Sequence, residues 1–226
     1  GAFDHRHIFL DPAPLAADIG LAERRRLFGQ AASSWADYRS EALGPGGGVH
    51  SRQARHIDIG EAARQWLGLP ASRCTPDEVV SALLQAEVDL LWLGGIGTYV
   101  KASDERHDQV GDRANDGVRV DASSLRCRSV GEGANLGFTQ RGRIEYALAG
   151  GRINTDAIDN AGGVNCSDHE VNIKILLGRA RRDGRLDEVR RNALLSDMTD
   201  EVAALVLRDN YLQSLALSLA EACAPA

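Results

Sequence analysis

Two glycine-rich turns, each at the end of an apolar run, are the stretches where this backbone could approach a ligand most closely. Residues 88–93 lead into Gly-Gly-Ile-Gly, and residues 125–130 lead into Gly-Glu-Gly-Ala-Asn-Leu-Gly. Glycine occurs where a chain must turn sharply or lie against a ligand. Ligands of open α/β sheets bind at the carboxyl ends of strands, so both turns predict a binding site. The first turn supplies the candidates Gly94, Gly95, Ile96 and Gly97.

The second turn has the form G-x-G-x-x-x-G between a predicted strand and a predicted helix at 139–148. Asp156 follows about 20 residues later, where a ribose-binding acid of a dinucleotide site is expected. The glycine spacing is one residue too long, however, and Glu132 would place a carboxylate beside a pyrophosphate. Three interpretations remain open: an independent pyrophosphate cradle, a tight turn without a ligand, or one part of a larger site.

The chain opens with Ala2-Phe3-Asp4, which is typical of a buried strand that ends in an acid. In a dinucleotide-binding fold, such an acid holds a ribose hydroxyl and repels a 2′-phosphate, so it favours NAD over NADP. Asp4 could equally be a simple turn residue at the end of a strand.

Local patterns predict the elements that must position these residues. Thr75-Pro76-Asp77-Glu78 has the form of a capping box and predicts a helix start. The nearly unbroken apolar run at 88–93 predicts a strand buried on both faces, as in a parallel sheet. Later patterns predict helices at 187–195 and 199–222, the last capped by Thr199. The chain therefore alternates strand and helix up to about residue 160 and is helical afterwards, which indicates an α/β class.

Composition excludes several classes of protein. The 226 residues carry a net charge of −6, whereas a nucleic-acid binder is usually basic. No apolar run reaches the length of a membrane span and no signal pattern opens the chain, so we expect a cytoplasmic protein without a membrane partner. The widely spaced Cys74, Cys127, Cys166 and Cys223 predict reduced, mostly buried thiols.

A metal site and a catalytic lysine are two further possibilities that the sequence raises but does not support. His5, His7, Asp168 and His169 form two short clusters without paired metal-ligand spacing, so no metal is expected. Lys101 follows the first glycine turn, and we interpret it as solvated or phosphate-facing.

Three segments together resemble the NAD-specific glutamate dehydrogenases of the very large bacterial subunit class. They are DLLWLGGIGTYVKA at 89–102, GEGANLGFTQRGRIEYALAGG at 131–151 and NTDAIDNAGGVNCSDHEVNIKILL at 154–177. The smaller hexameric glutamate dehydrogenases share a fainter version, with a Glu-Gly-Ala-Asn turn and an Asn-Ala-Gly-Gly-Val segment followed by a serine. The resemblance covers essentially the whole chain.

The resemblance implies roles for individual residues. Asn160 would lie near the nicotinamide and the reacting carbon, Gly163 would leave room for the ring, and Ser167 would bind the distal carboxylate of glutamate. A nearby helix N-terminus would favour that anion. Asn160 could instead be only a helix cap, and Ser167 could face solvent or bond its own turn. The cofactor-binding set is Asp4 on the adenine ribose, the first turn, Asn160, and Glu132, Gly133, Ala134 and Asn135 along the nicotinamide-side ribose.

The resemblance also implies an incomplete fold. We expect residues 1–159 to be a partial Rossmann-like NAD-binding domain, a doubly wound, mostly parallel sheet that lacks its first strand. Residues 160–226 would be a helical segment that packs toward an absent substrate domain. The glycine-rich pyrophosphate turn and the catalytic lysine and aspartate would lie upstream, so no catalytic residue is expected within the chain, and the fragment alone should be inactive.

The implied activity is the oxidation of L-glutamate to 2-oxoglutarate and ammonium, with NAD as cofactor and with a homo-oligomeric intact protein. Two alternatives remain. A dehydrogenase of another amino acid, such as leucine or valine, would have an apolar residue in place of Ser167. A non-catalytic nucleotide-sensing or assembly module would use the long C-terminal helices for association.

Overall fold

The computed structural model describes residues 1–224, which contain ten strands and nine α-helices. The strands are β1 (Ala2–Phe3), β2 (His7–Leu10), β3 (Gly48–Ser51), β4 (Ile57–Asp58), β5 (Arg73–Cys74), β6 (Leu90–Leu93), β7 (Val100–Lys101), β8 (Val120–Asp121), β9 (Ser129–Glu132) and β10 (Arg152–Ile153). The helices are α1 (Ala17–Phe28), α2 (Glu61–Leu67), α3 (Pro76–Leu84), α4 (His107–Val110), α5 (Gln140–Leu148), α6 (Asp156–Asp159), α7 (Ala161–Arg182), α8 (Glu188–Asp197) and α9 (Thr199–Ala222). Short 3₁₀ turns lie at Trp35–Asp37, Ser40–Ala42, Arg113–Asn115 and Ala122–Ser124.

The described strands form four small sheets. One sheet has the order β1-β2-β3 and is antiparallel, with Phe3 opposite Ile8. A second has the order β10-β9-β6, in which β9 and β10 run parallel with Arg152 opposite Ser129. β4 pairs antiparallel with β5, and β7 pairs parallel with β8. The structure is therefore α/β with parallel strand pairs, and these strands do not form one mostly parallel sheet.

The chain divides into two compact units. Among the described residues, the first comprises 1–130 and 136–153, and the second comprises 131–135 and 154–224. The core of the first unit joins β2, α3, β7 and α5 through fully buried apolar side chains. Its largest fully buried apolar members are Phe138, Ile8, Leu10, Leu84, Val79, Val80 and Val100.

The second unit is built from α6 to α9, with α7 and α9 packed together. Among the described residues of these helices, the fully buried side chains are Ala161 and Leu177. Several apolar side chains of the unit are exposed, including Ile175, Leu176 and Leu207. No helix within residues 1–224 is long and apolar enough to cross a membrane.

The capping box of α3 confirms the prediction from its sequence. The Thr75 hydroxyl accepts a hydrogen bond from the Glu78 N–H, and the Glu78 carboxylate accepts one from the Thr75 N–H. Pro76 occupies the first turn, where a missing N–H costs no helical hydrogen bond.

Two local predictions are wrong. The sequence predicts a strand at 88–93 that is buried on both faces, but Leu90 and Trp92 of β6 are more than half exposed and only Leu93 is fully buried. The sequence also predicts Thr199 as the cap of the last helix. Met198 occupies that position instead, and the Thr199 hydroxyl donates to the carbonyl of Leu195 in the preceding helix.

Candidate functional site

The glycine turn after β6 presents its backbone openly. The strand ends at Leu93, which is buried, and a Cβ added at Gly95 would have no atom within 4 Å. The Ile96 side chain is 94% exposed. Gly97 has φ +133°, a conformation that L side chains rarely adopt, so the turn requires glycine there. The result is an accessible loop of main-chain donors and acceptors at a strand end.

The second unit joins the two other candidate segments through their asparagines. The Asn160 Nδ2 donates to Asn135 Oδ1 at 2.8 Å. Asn160 stands at the N-cap position of α7, but its side chain makes no cap hydrogen bond. The amide is therefore directed to the Glu132–Asn135 segment rather than to its own helix. Asn160 Oδ1 and Asn135 Nδ2 have no hydrogen-bond partner within residues 1–224, which leaves an acceptor and a donor side by side.

The main chain of Glu132 is tied to the same unit. Its N–H donates to Asp159 Oδ2 at 3.0 Å, while Asn154 Nδ2 donates to Asp159 Oδ1 at 3.0 Å. The Glu132 side chain is fully buried. A ligand beside this segment would thus meet the half-buried Gly133 and Ala134 and the exposed Asn135 rather than the Glu132 carboxylate.

Gly163 lies directly against the site amide. A Cβ at this position would come within 3.0 Å of Asn160 Oδ1, which is tighter than an ordinary contact. At Gly162 the nearest atom to an added Cβ would be Asn210 Nδ2 of α9, at 3.5 Å. The Gly-Gly pair therefore lets the start of α7 carry the Asn160 side chain on one side and approach α9 on the other.

Ser167 is exposed on the seventh residue of α7. Ser167 lies three residues beyond the first four N–H groups of α7, which are the ones that lack helical partners. The Ser167 hydroxyl makes no hydrogen bond within the described part of the chain.

Asp4 closes the turn between β1 and β2. Its Oδ1 accepts hydrogen bonds from the N–H groups of Arg6 and His7, both at 2.6 Å. Burial acts to raise the pKa of the Asp4 carboxyl, but these two bonds and the neighbouring histidines outweigh it, so the pKa lies below its ordinary value. Asp4 Oδ2 makes no hydrogen bond to any residue in the range 1–224 and remains free for a ligand.

Lys101 corrects the prediction of a solvated or phosphate-facing side chain. It is 6% exposed, and its Nζ donates to Asp121 Oδ1 and to the carbonyl of Ala102. Its ion pair with Asp121 therefore connects the paired strands β7 and β8 within the first unit. Within residues 1–224, no group of three or more His, Cys, Asp or Glu side chains is arranged to hold a metal ion.

The candidate residues fall into both units. Asp4 and residues 94–97 belong to the first, whereas residues 132–135, Asn160, Gly163 and Ser167 belong to the second. Asp159 was not among the sequence-based candidates, although its place one residue before Asn160 is a usable signal. Asp112 and Arg119, which hold Thr98 after the first turn, gave no signal because they lie in a charged stretch typical of a solvated surface.

Comparison with known proteins gives one family over nearly the full length. Residues 1–220 match the family model described as the catalytic domain of bacterial NAD-glutamate dehydrogenase. The NAD-specific glutamate dehydrogenase of Halomonas elongata is 56% identical over 221 residues, which is 98% of this chain. That of Pseudomonas aeruginosa is 56% identical over 97% of the chain. That of Mycobacterium tuberculosis is 52% identical over 94%. The chain spans about 14% of the length of the first two relatives and 13% of the third.

Proposed function

Because this chain belongs to the bacterial NAD-glutamate dehydrogenase family, we propose that it forms part of an enzyme that oxidatively deaminates L-glutamate. The overall reaction converts glutamate, NAD and water into 2-oxoglutarate, ammonium, NADH and a proton. The isolated 226-residue chain is expected to be inactive, because the catalytic lysine and aspartate implied by the family resemblance are not assigned to any of its residues.

The hydrogen bond between Asn135 and Asn160 is the observation that carries this proposal. It joins two of the three segments that carry the family resemblance, and it does so with side chains rather than through a helix cap. The free Asn160 Oδ1 and Asn135 Nδ2 form a donor and acceptor pair that suits a ribose hydroxyl or a carboxamide.

The residues present fit the nicotinamide half of NAD. As cofactor-binding residues we propose the open backbone of Gly94, Gly95, Ile96 and Gly97 in the first unit, and Asn160 with Glu132, Gly133, Ala134 and Asn135 in the second. NAD, when bound, supplies the acceptor for the hydride that leaves the α-carbon of glutamate. The residues of this chain would then hold the nicotinamide ring and the reacting α-carbon of glutamate face to face, with the amide of Asn160 beside them.

Asp4 is proposed to bind the adenine ribose through Oδ2. Its lowered pKa keeps the carboxylate charged, so a ribose hydroxyl is a good partner and a 2′-phosphate is repelled. This charge supports NAD rather than NADP.

Asn160, Gly163 and Ser167 are proposed to bind the amino acid. Gly163 keeps the space beside Asn160 Oδ1 free of a side chain. The exposed Ser167 hydroxyl is available to donate to the distal carboxylate of glutamate. A hydroxyl gives an amino acid with an apolar side chain no equivalent bond, which supports glutamate over leucine.

The wider architecture is part of the proposal. We assign residues 1–159 to a partial, Rossmann-like doubly wound domain, supported by the parallel pair β9 and β10. We assign residues 160–226 to a helical segment, supported by α7 to α9. Exposed apolar side chains on α7 and α9 support a homo-oligomeric enzyme in which these helices are covered. A cytoplasmic location is a separate part of the proposal.

A full-length family protein that carries this sequence tests the function directly. With glutamate and NAD we expect NADH absorbance to rise, and with leucine or with NADP we expect little change. Ser167→Ala should raise the KM for glutamate about tenfold and leave the KM for NAD unchanged, as loss of a bond to a charged group requires. Ser196→Ala, an exposed serine of α8, is the matched control.

The outcomes separate the alternatives. Turnover of another amino acid in place of glutamate would keep the fold and overturn the assignment of Ser167. NAD binding without turnover of any amino acid would favour a sensing module.

A further inference from the structure

We propose that Asp112, Asn115 and Arg119 are positioning residues that hold the Gly94–Gly97 turn in one conformation for the cofactor. The inference rests on the proposed function, because it takes that turn as part of the NAD site. Their role follows from their contacts with Gly97, with Thr98 and with one another, all of which lie within the first unit.

Both main-chain polar groups of Thr98, the residue after the turn, are held by side chains. The Thr98 N–H donates to Asp112 Oδ2 at 2.8 Å, and the Thr98 carbonyl accepts from Arg119 Nε at 2.8 Å. The partners come from 14 and 21 residues further along the chain. The first bond holds the peptide unit between Gly97 and Thr98, and the second holds the unit between Thr98 and Tyr99. Neither unit can rotate without breaking a charge-assisted hydrogen bond, which is stronger than a neutral one.

The two clamping side chains are fixed by the same loop. The Arg119 side chain is fully buried, and it donates to Asp116 Oδ1 at 2.6 Å and to the main-chain carbonyl of Asp112. Its Nη1 also lies 3.1 Å from His107 Nδ1. Hydrogen bonds from Asn115 Nδ2 and from the Thr98 N–H lower the pKa of the Asp112 carboxyl, so the carboxylate stays charged.

Asn115 connects this cluster to the glycine itself. Its Nδ2 donates to Asp112 Oδ2 at 2.7 Å. The same Nδ2 would lie 2.6 Å from a Cβ at Gly97. Gly97 is therefore packed against the cluster, and its φ of +133° is maintained by the contact on one side and by the Thr98 clamp on the other.

The rest of the turn has no comparable support. Gly95 has open space around it, and Ile96 is 94% exposed. The contact that Ile96 makes across the turn is a long bond, 3.4 Å, from the Tyr99 hydroxyl to its carbonyl. Gly95 and Ile96 thus form an open face that a ligand can reach, while the end of the turn at Gly97 and Thr98 is held rigidly. Pre-organisation of this kind lowers the entropy lost when a ligand binds.

Asp112→Ala in the full-length protein tests the inference. We expect the KM for NAD to rise about tenfold while the KM for glutamate changes by less than about twofold. Asp112→Asn keeps an oxygen to accept from the Thr98 N–H and should show a smaller rise. Asp108→Ala is the matched control, because Asp108 lies on α4 in an exposed pair with Arg106, whereas the Thr98 main chain is bonded by Asp112 and Arg119.

A purely structural role for Asp112 predicts a different pattern. In that case Asp112→Ala would lower the melting temperature but leave the KM for NAD unchanged, or would raise both KM values equally, and either result overturns the inference. If Asp112→Ala does not fold, the same comparison is made with Asp112→Asn. A rise in the KM for NAD without an equal rise in the KM for glutamate supports the inference, and any other result overturns it.

Direct titration separates this inference from the proposed function. If the wild-type protein does not oxidise glutamate, the proposed function fails, but NAD can still be titrated calorimetrically into wild type and Asp112→Ala. Weaker NAD binding by the variant would then support the clamp. Equal binding, or no binding to wild type, would overturn it.

Discussion

The side chains of Asn135 and Asn160 are joined by a hydrogen bond of 2.8 Å, although 25 residues separate them. The bond connects the glycine-rich turn after β9 to the residue that begins α7. Within the described residues, neither asparagine side chain makes a hydrogen bond to a helix end or within a local turn. An unmatched amide acceptor and donor therefore remain next to each other at the site proposed for the nicotinamide ribose.

A double-mutant cycle on this pair measures its energy. Asn135→Ala and Asn160→Ala should each lower the free energy of unfolding. The double variant should lose about 0.5–1 kcal/mol less than the sum of the two single losses, because the bond between the side chains can be lost only once. Urea unfolding of the four proteins gives the coupling. Asn172→Ala removes an exposed bond within α7 and should show no coupling to Asn135→Ala. Additive costs for the 135 and 160 substitutions would contradict the pairing.

Local signals in the sequence are sufficient for several elements of the fold. The Thr75 capping box involves only four consecutive residues, so its bonds can be read from their spacing. Thr199 has the same residue type before an apolar run, yet α8 ends immediately before it and Met198 becomes the boundary between two helices. The difference lies in the preceding helix, which the local pattern around Thr199 does not contain.

Other features depend on partners distant in sequence. The run at 88–93 is apolar enough for a strand buried on both faces, but burial depends on what packs on each face of β6, and Trp92 is left 58% exposed. Arg119 and Lys101 resemble surface charges by composition, but both are buried and bond to partners distant in sequence, Thr98 and Asp121. The family-like motifs could thus be found from the sequence, whereas the residues that support them could not.

Gly151 is required by the ring of Tyr146. A Cβ at Gly151 would lie 2.2 Å from Tyr146 Cζ, and the ring cannot move because it is buried and its hydroxyl donates to the Cys127 carbonyl at 2.9 Å. Gly151→Ala should therefore destabilise the protein by roughly 1–3 kcal/mol, as overpacking does. Thermal unfolding provides the measurement.

Gly29 supplies the control for that substitution. It has a right-handed backbone, and an added Cβ would make only ordinary contacts at 3.6 and 3.7 Å. Gly29→Ala should change stability by no more than about 0.5 kcal/mol. Equal effects of the two substitutions would show that the Tyr146 ring yields.

Glu23 should contribute to the loss of stability in acid. Its buried carboxylate is bonded by Arg26 at 2.6 Å and by the N–H and side chain of Arg39, and these bonds hold its pKa well below the ordinary 4.5. The unfolded chain binds a proton as pH falls below 4.5 while the folded chain does not, so the stabilisation present above that pH is progressively lost below it.

Glu23→Gln tests this linkage. The variant should be less stable than wild type at pH 7. Below pH 4.5 its free energy of unfolding should fall less steeply with pH, and the difference in slope should correspond to at most one proton taken up on unfolding. Urea midpoints measured across this range give the slope. Gln30→Ala removes a neutral partner of the same Arg26 and should retain the wild-type slope. An unchanged slope in Glu23→Gln would contradict the assignment.

The ion pair of Lys101 with Asp121 should be asymmetric in its response to mutation. The lysine side chain is 7% exposed, whereas the aspartate side chain is 42% exposed. Asp121→Ala leaves a buried ammonium with the Ala102 carbonyl as its remaining bond, and should cost roughly 2–4 kcal/mol. Lys101→Met removes the buried charge and lets water solvate Asp121, so it should cost less than about 1 kcal/mol.

Urea unfolding at pH 7 compares the two variants, with Asp104→Ala as the control. Asp104 pairs with Arg141 on the surface, where both side chains are more than half exposed, and its loss should cost no more than about 1 kcal/mol. If Lys101→Met is at least as destabilising as Asp121→Ala, the lysine stem rather than its charge joins β7 to β8. The order of the two costs therefore distinguishes an electrostatic role for Lys101 from a packing role.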